Sequence, residues 1–538
     1  MAHLGRSLCL IFVCLAATCC AAGIKTVDED KPCLAQFMPQ QSSICICNET
    51  YCDEITRQIP EEGHYITYTS SKSGKRFEKT HGELKPYDST SHEVTLVLDP
   101  DTKYQEIMGF GSSVSDSAAI NWKSLPEVVQ KHMIDSYFGP KGLEYNMIRL
   151  PIGGSDFSTH AYAFNDLPVN DKELSNFTLA PEDINYKIPM IKAINEATPS
   201  QVHIIGTVWS PPVWMKTNND WWGFTLLKKD YYQTFADYHL KFLQKYDEAG
   251  IPVWGITTTN EPLNGIIPLI PYVKNLTCLG WLQEDMGKWI VDHLGPTIRN
   301  SKYKDLKILT MDDQRYAIAT WFKGMVESHN DVLNYIDGVA THYYADGMTP
   351  VKILVEFHKT WPNLMLLNTE ACEGAPTGVE DKVLLGSWQR AENYIHNILT
   401  NLNYHLVGWM DWNMCLNQQG GPTFIDNFVD SPVIVMADKK MFIKQPMFYA
   451  MGHFSKFIPR GSKRIQVTGR KPVSFTSVSD VAFLTPNNTI VTVLYNDGAP
   501  KTIALKLGDK AVTVEMEPES ITTVEFPYED KPKAAPAA

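Results

Sequence analysis

Two glutamates each close a run of apolar and β-branched residues, and this placement indicates acid–base chemistry. Glu261 ends "VWGITTTNE", and Glu370 ends "LMLLNTE". Glycoside hydrolysis uses a pair of carboxyl groups, because one protonates the leaving oxygen while the other attacks or activates water. A single glutamate before Pro262 could be a solvated residue at the point where a strand stops. Two such glutamates among aromatic residues favour catalysis.

Other polar and aromatic residues end neighbouring apolar runs and could support the two glutamates. Arg149 could hold a carboxylate through paired N–H bonds, and His342 and Tyr344, in "VATHYY", could orient a nucleophile. Asn260 could bond a sugar hydroxyl beside Glu261. Single tryptophans and tyrosines are often core residues, and Arg149 could serve a structural ion pair. The remaining candidates for sugar binding are Asp156, Trp209 and Trp412.

The elements that must position these residues alternate between strand-like and helical patterns from about residue 105 to 412. Amphipathic stretches at 182–197, 229–249 and 386–404 predict helices between short apolar strands. Seven or eight such units indicate an α/β fold, a (β/α)8 TIM barrel, whose catalytic groups lie at the carboxyl ends of the strands. The "GFGSSV" stretch lacks the third glycine of a dinucleotide-binding motif, and no HExxH, GxSxG or P-loop motif occurs.

The regions flanking the barrel read as β-structure. After residue 462, short strands separated by turn residues are typical of an antiparallel sandwich, and "SHEVTLVLDP" before the barrel adds another strand. One immunoglobulin-like domain is therefore predicted from both flanks. The predicted units are a small antiparallel sheet (30–58 plus 413–446), the sandwich (59–104 plus 462–528), the barrel (105–412 plus 447–461) and a disordered tail (529–538).

The amino terminus and the cysteines indicate an exported protein. Residues 1–22 read as a signal peptide, with an apolar stretch too short to span a bilayer, and no later run reaches membrane-spanning length. Clustered cysteines in such a chain favour two local disulfides over a zinc site, although four cysteines allow three pairings. These cysteines are Cys33, Cys45, Cys47 and Cys52.

Glycosylation signals and net charge agree with that interpretation. The four N-glycosylation sequons begin at Asn48, Asn176, Asn275 and Asn487. A net charge of −13 argues against nucleic acid as the main partner, since phosphate binding needs a basic face. The run "PRGSKRIQVTGRK" is the basic exception. It could meet an anionic membrane or be a solvated hairpin.

Several motifs carry a family likeness over nearly the whole mature chain. "TTTNEP", "LLNTEACEG", "YNMIRLPIGGSDFS", "VWSPPVWMKTN", "NFVDSP" and "KQPMFYAMGHFSKFIPRGS" strongly resemble glycoside hydrolase family 30, the family of the lysosomal glucosylceramidases. The resemblance implies that Glu261 is the general acid/base and Glu370 the nucleophile. It also implies the pairings Cys33–Cys45 and Cys47–Cys52. Glucose-binding residues implied by it are Asp156, Trp209, Asn260, Trp412 and Asn427.

The resemblance further implies a retaining β-glucosidase that cleaves glucosylceramide into glucose and ceramide, without a metal or other cofactor. The implied partners are a saposin-type activator, an anionic lipid surface and a membrane receptor for delivery to lysosomes. Two loops, 219–227 and 263–277, depart from the family pattern. Two alternatives stay open: a sibling enzyme acting on a β-linked glucan or xylan, and a non-enzymatic glycolipid carrier.

Overall fold

A computed structural model describes residues 30–267, 275–374, 381–470 and 477–529. The predicted signal peptide and most of the predicted tail lie outside these ranges. Eight parallel strands close into one barrel, which confirms the predicted α/β barrel. In chain order the strands are β1 (Gly109–Ser113), β2 (Met147–Pro151), β3 (His203–Thr207), β4 (Gly255–Thr257), β5 (Lys307–Gln314), β6 (Gly338–His342), β7 (Met365–Glu370) and β8 (Leu406–Asn413).

The barrel strands are buried on both sides, which explains why the sequence shows apolar runs rather than alternation. Every residue of β2, β3, β6 and β8 is buried. Short 3-10 turns lie at Val213–Met215, Lys229–Tyr231, Pro262–Gly265, Arg315–Ile318, Asn330–Asn334, Asp346–Met348 and Ala437–Lys439. The α-helices are Asp116–Lys123, Glu127–Phe138, Ile188–Ala197, Tyr232–Glu248, Gln283–Trp289, Gly295–Arg299, Trp321–Ser328, Lys352–Thr360, Trp388–Asn403 and Pro446–Ser455.

The three predicted helices are confirmed, with differences at their ends. The first opens with a π-helical turn, Asp183–Lys187, and the second with the 3-10 turn Lys229–Tyr231. A second π-helical turn, Ile290–Leu294, joins two short helices after β4. Among the described residues, no helix is both long and apolar enough to cross a bilayer.

A ten-stranded sheet is built from both flanks of the barrel, as predicted. Val94 and Val512 belong to one buried cluster with Val478 and Phe526, so the sheet folds over itself as a sandwich around a shared core. Its strands before the barrel are His64–Ser71, Glu78–Glu83, Lys85–Pro86 and Val94–Glu106. Those after the barrel are Lys463–Thr468, Val478–Leu484, Thr489–Asn496, Lys501–Leu507, Lys510–Met516 and Ser520–Pro527.

A small five-stranded sheet carries the disulfides Cys33–Cys45 and Cys47–Cys52. The edge strand Leu416–Asn417 runs parallel to its neighbour Val433–Met436, whereas the sequence predicts an antiparallel sheet throughout. The reason is that a long connection, not a hairpin, joins these two strands. The other strands are antiparallel: Ala35–Phe37, Ser43–Cys47 and Met441–Lys444.

Candidate active site

The two glutamates singled out in the sequence meet at the mouth of the barrel. Glu261 follows β4 and Glu370 ends β7. One side-chain oxygen of each, together with a ring nitrogen of His342, forms a group whose atoms all lie within 4.8 Å of one another. The side chains of Glu261 and Glu370 are 14% and 8% exposed, so both are reachable from solvent but largely shielded.

An unusual backbone conformation directs Glu261 into the mouth. Its φ of 40° lies in the left-handed region, which is costly for a residue other than glycine and is retained only where neighbours hold it. The Glu261 amide donates to the carbonyl of Asp312, 2.9 Å away. The carboxylate of Asp313 accepts from the Leu263 amide at 3.1 Å and anchors the following turn. Gln314 then donates to the Glu261 side chain at 2.9 Å.

Glu370 is directed inward by an irregularity in β7. Thr341 pairs with Asn368 but His342 pairs with Glu370, so Thr369 is an extra residue in the ladder. Such a bulge re-aims the side chains that follow it. Two donors from other strand ends then meet the Glu370 carboxylate: the Arg149 guanidinium, and the Tyr344 hydroxyl at 2.7 Å.

Arg149 is the centre of the charge network below the mouth. Its guanidinium is fully buried and also donates to Asn260 at 2.7 Å and to Asp312 at 2.8 Å. Burial disfavours the charged form, but the carboxylates of Asp312 and Glu370 outweigh it and raise the pKa of Arg149. The guanidinium carbon lies 4.7 Å from the centre of the Trp209 ring. The cation therefore has aromatic as well as ionic partners.

Asp312 is an essential part of this network that the sequence analysis did not identify. Besides Arg149, it accepts hydrogen bonds from Thr369 at 2.6 Å and pairs with His342 at 3.0 Å. Burial alone would raise its pKa, but Arg149 and His342 hold the pKa well below its usual range. The residue closes the apolar run "KILTMD", so the same strand-end signal that found Glu370 was present.

His342 bridges acidic residues on both sides. Its Nδ1 lies 2.8 Å from Glu261 and 3.9 Å from Glu370, so the ring sits closer to the predicted acid/base than to the predicted nucleophile. Burial lowers its pKa, yet Glu370, Asp312 and Glu261 together raise the pKa of His342 to about 10. Both ring nitrogens lie within hydrogen-bond distance of carboxylates.

A stacked pair of tryptophans and an acid–amide pair form the rest of the site. The rings of Trp209 and Trp412 lie 4.9 Å apart and 20° from parallel. Asn427 donates to Asp156 at 2.9 Å. Burial and the charge of Glu370 raise the pKa of Asp156 to about 7. Asn427 lies outside the strand–helix alternation, and only the fold brings it to Asp156.

The structure thus brings the residues predicted for catalysis, sugar binding and nucleophile support together at the mouth. The structure adds Asp312, Asp313, Gln314 and Asn264, which hold Glu261 or its partners.

The two loops that depart from the family pattern also pack against each other. Thr225 donates to the carbonyl of Gly265 at 2.9 Å, and the Cys278 amide donates to that of Trp221 at 3.1 Å. Residues 268–274 of the second loop lie outside the described residues.

The barrel sequence matches the model of the glycosyl hydrolase family 30 TIM-barrel domain over residues 107–458. The chain belongs to glycoside hydrolase family 30. Residues 461–524 match the β-sandwich domain of the same family, and the resemblance seen in the sequence is confirmed. The protein is therefore a glycoside hydrolase.

Two curated relatives and one solved structure agree with the assignment. The chain is 39% identical to lysosomal acid glucosylceramidase of Mus musculus over 88% of this chain and 92% of the relative. It is 37% identical to putative glucosylceramidase 3 of Caenorhabditis elegans over 87% and 91%. The structure of SrfJ from Salmonella typhimurium superposes with a TM-score of 0.78 at 22% identity, covering 87% of this chain and all of that one, which shows the shared fold.

Proposed function

We propose that this protein is a retaining β-glucosidase that hydrolyses glucosylceramide to glucose and ceramide. The observation that carries the proposal is the pair of glutamates with side-chain oxygens within 4.8 Å of each other. Retaining glycosidases have carboxyl groups about 5–5.5 Å apart, whereas inverting enzymes need about 6.5–9.5 Å to admit a water molecule. The names of the two relatives support glucosylceramide as the substrate.

In the first step, Glu370 attacks the anomeric carbon of glucose while the bond to the ceramide oxygen breaks. Glu261 gives its proton to that oxygen, and a covalent glucosyl-enzyme forms on Glu370. The arginine and tyrosine donors on Glu370 suit an attacking carboxylate, because they orient its oxygens. The oxygen of the Asn260 side chain is held by Arg149, and its amide hydrogens, which bond to none of the described residues, can donate to a sugar hydroxyl.

In the second step, Glu261 accepts a proton from water, and the water oxygen attacks the anomeric carbon. The bond to Glu370 breaks, glucose leaves with its original configuration, and Glu261 is protonated again. The His342 ring lies 2.8 Å from the Glu261 side chain. When Glu261 is deprotonated, His342 supplies a positive charge beside its carboxylate. The tryptophan pair offers a flat apolar face to the sugar ring.

A lipid substrate is supported by exposed apolar residues around the mouth. Leu167, Phe224, Ile267, Tyr316 and Met348 belong to segments that follow β2, β3, β4, β5 and β6 respectively. Met348 is 85% exposed, Leu167 69% and Phe224 57%. Exposed apolar groups gathered around a binding site typically mark an interaction surface.

The basic run is not the surface that this proposal assigns to the membrane. Arg460 donates to the carbonyls of Met108, Asn146 and Gln201, which precede β1, β2 and β3. These are the amino ends of strands, opposite the mouth. Arg470 pairs with Asp480 at 2.6 Å. Arg460 and Arg470 are therefore engaged in structural contacts, and Lys471 lies outside the described residues.

The cellular setting is proposed on the same grounds. We assign the protein to the lysosome, reached by a signal peptide and a sorting receptor, with a saposin-type activator and anionic lipid as partners. Three of the four sequon asparagines, Asn176, Asn275 and Asn487, are exposed and thus accessible to glycosylation. Asn48 is half-buried.

The test is to trap the intermediate with an activated 2-deoxy-2-fluoro-β-glucoside at mildly acidic pH and map the adduct. A hexose adduct on the peptide containing Glu370, absent in Glu370→Gln, is expected. An adduct elsewhere, or none in folded protein, contradicts the mechanism. Hydrolysis of glucosylceramide in anionic vesicles is then compared with hydrolysis of β-glucan and xylan. Faster cleavage of either polysaccharide would favour the sibling activity.

A further inference from the structure

A buried lysine lies beside the loop that carries Asp156, although it belongs to no part of the mechanism above. Lys187 ends the π-helical turn Asp183–Lys187 and is fully buried. Its ammonium pairs with Asp183 at 3.0 Å and with Asp116 at 3.2 Å. A buried charge is costly unless it is paired and hydrogen-bonded, so its position calls for an explanation.

The ammonium also bonds to the backbone of the loop between Arg149 and Asp156. It donates to the carbonyl of Pro151 at 3.3 Å and to that of Gly153 at 3.5 Å. Buried carbonyl groups need partners, and the lysine supplies one for each at the point where β2 becomes the loop. The backbone that leads to Asp156 is therefore hydrogen-bonded to this ammonium.

Asp116 extends the same arrangement to the other side of Asp156. Its second carboxylate oxygen accepts from the hydroxyls of Ser158 at 2.6 Å and Tyr162 at 2.9 Å. The Ser158 hydroxyl in turn accepts from the amide of Ser155 at 3.0 Å. Residues before and after Asp156 are thus connected to one buried ion pair.

We propose that Lys187 is a positioning residue for Asp156: its ammonium, with Asp116, holds the loop in the shape that presents Asp156 to the sugar. This inference rests on the proposed function, in which Asp156 binds glucose. Burial lowers the pKa of Lys187, but Asp116 and Asp183 outweigh it and raise the pKa, so the group stays a cation. Asp156 itself lies on the loop that these bonds join to the ammonium and to Asp116.

The test compares Lys187→Met with Lys444→Met. Lys444 is a matched control, because it is also buried and pairs with a carboxylate, Asp53 at 2.9 Å, but lies in the small sheet. A displacement of about 1 Å near reacting groups can cost about 100-fold in rate. We expect kcat/KM for an aryl β-glucoside to fall about 10- to 100-fold in Lys187→Met and to stay unchanged in Lys444→Met.

A series of 3-, 4- and 6-deoxyglucosides separates positioning from general damage. Removing the hydroxyl that Asp156 binds should cost the wild type much and Asp156→Ala little. If Lys187 acts by placing Asp156, Lys187→Met will show the reduced penalty of Asp156→Ala at the same hydroxyl. Equal losses on every deoxy substrate would overturn the proposal. Should Lys187→Met fail to fold, Ser158→Ala keeps the buried ion pair, removes the bonds of the Ser158 hydroxyl to Asp116 and Ser155, and is judged by the same pattern.

Hydrogen exchange supplies a measurement that does not depend on activity. Amides at 152–162 should exchange faster in Lys187→Met but not in Lys444→Met, and equal exchange in the two variants would refute the positioning role. If the wild type cleaves no glucoside, or if Asp156→Ala retains the wild-type deoxy pattern, the proposed function fails instead. The exchange result still tests whether Lys187 holds the loop.

Discussion

Replacing His342 with glutamine should remove a pH-dependent part of the stability of the barrel. The carboxylates around His342 raise its pKa from its ordinary 6.5 to about 10. A group whose pKa is higher in the folded state stabilises the fold fully below its unfolded pKa. That stability is lost as the pH rises through the folded pKa. The window is therefore from about 6.5 to about 10.

The size of the effect follows from the same two values. One pKa unit corresponds to about 1.4 kcal/mol, so a rise from 6.5 to about 10 corresponds to about 5 kcal/mol of unfolding free energy. His342 is fully buried, so solvent does not screen the interaction. The acidic compartment proposed for this enzyme lies on the stable side of the window.

The assay is urea unfolding of wild type and His342→Gln at a series of pH values across that window. The wild type should be the more stable protein at acidic pH, and its advantage should shrink as the pH rises. Groups with shifted pKa whose shifts do not involve His342, such as Lys216 and His203, titrate in both proteins and cancel in the difference. Asp313, whose pKa burial raises to about 7 and the charge of His342 lowers in part, does not cancel and is included when the difference is fitted. A difference in unfolding free energy that does not change with pH would refute the reasoning.

Three further predictions follow from other contacts. Tyr344→Phe removes the hydrogen bond to the charged Glu370 carboxylate, which is worth about 1.5–3 kcal/mol. The kcat on an aryl glucoside should therefore fall about 10- to 100-fold. An unchanged kcat would contradict the importance of this contact. Changing Phe224 and Met348 to serine should slow hydrolysis of vesicle-bound glucosylceramide and spare aryl glucosides. Equal rates of the variant and the wild type on vesicles would show that these exposed apolar residues do not contact the membrane. Changing Cys33 and Cys45 together to serine opens a loop with a sequence separation of 12. The free energy of unfolding, measured in urea, should fall by about 3 kcal/mol. An unchanged midpoint of the urea unfolding transition would show that the small sheet unfolds independently.

Much of the site could be predicted from the sequence because a parallel barrel imposes a simple rule. Polar residues that end buried strands meet at one face, so Glu261, Glu370 and Arg149 were found from their places in the chain. Asp312 obeys the same rule but sits at a bulge, where Met311 and Asp312 both have positive φ. A bulge breaks the register, and register cannot be counted from one strand alone.

The sequence by itself indicated the order of strands and helices, the clustered cysteines and the two glutamates at strand ends. These are local properties, carried by periodicity and by short motifs. Only the tertiary structure decided that His342 turns towards Glu261, that Asn427 reaches Asp156, and that Arg460 faces away from the mouth. Those outcomes depend on distances between residues far apart in the chain, which packing sets and local patterns do not encode.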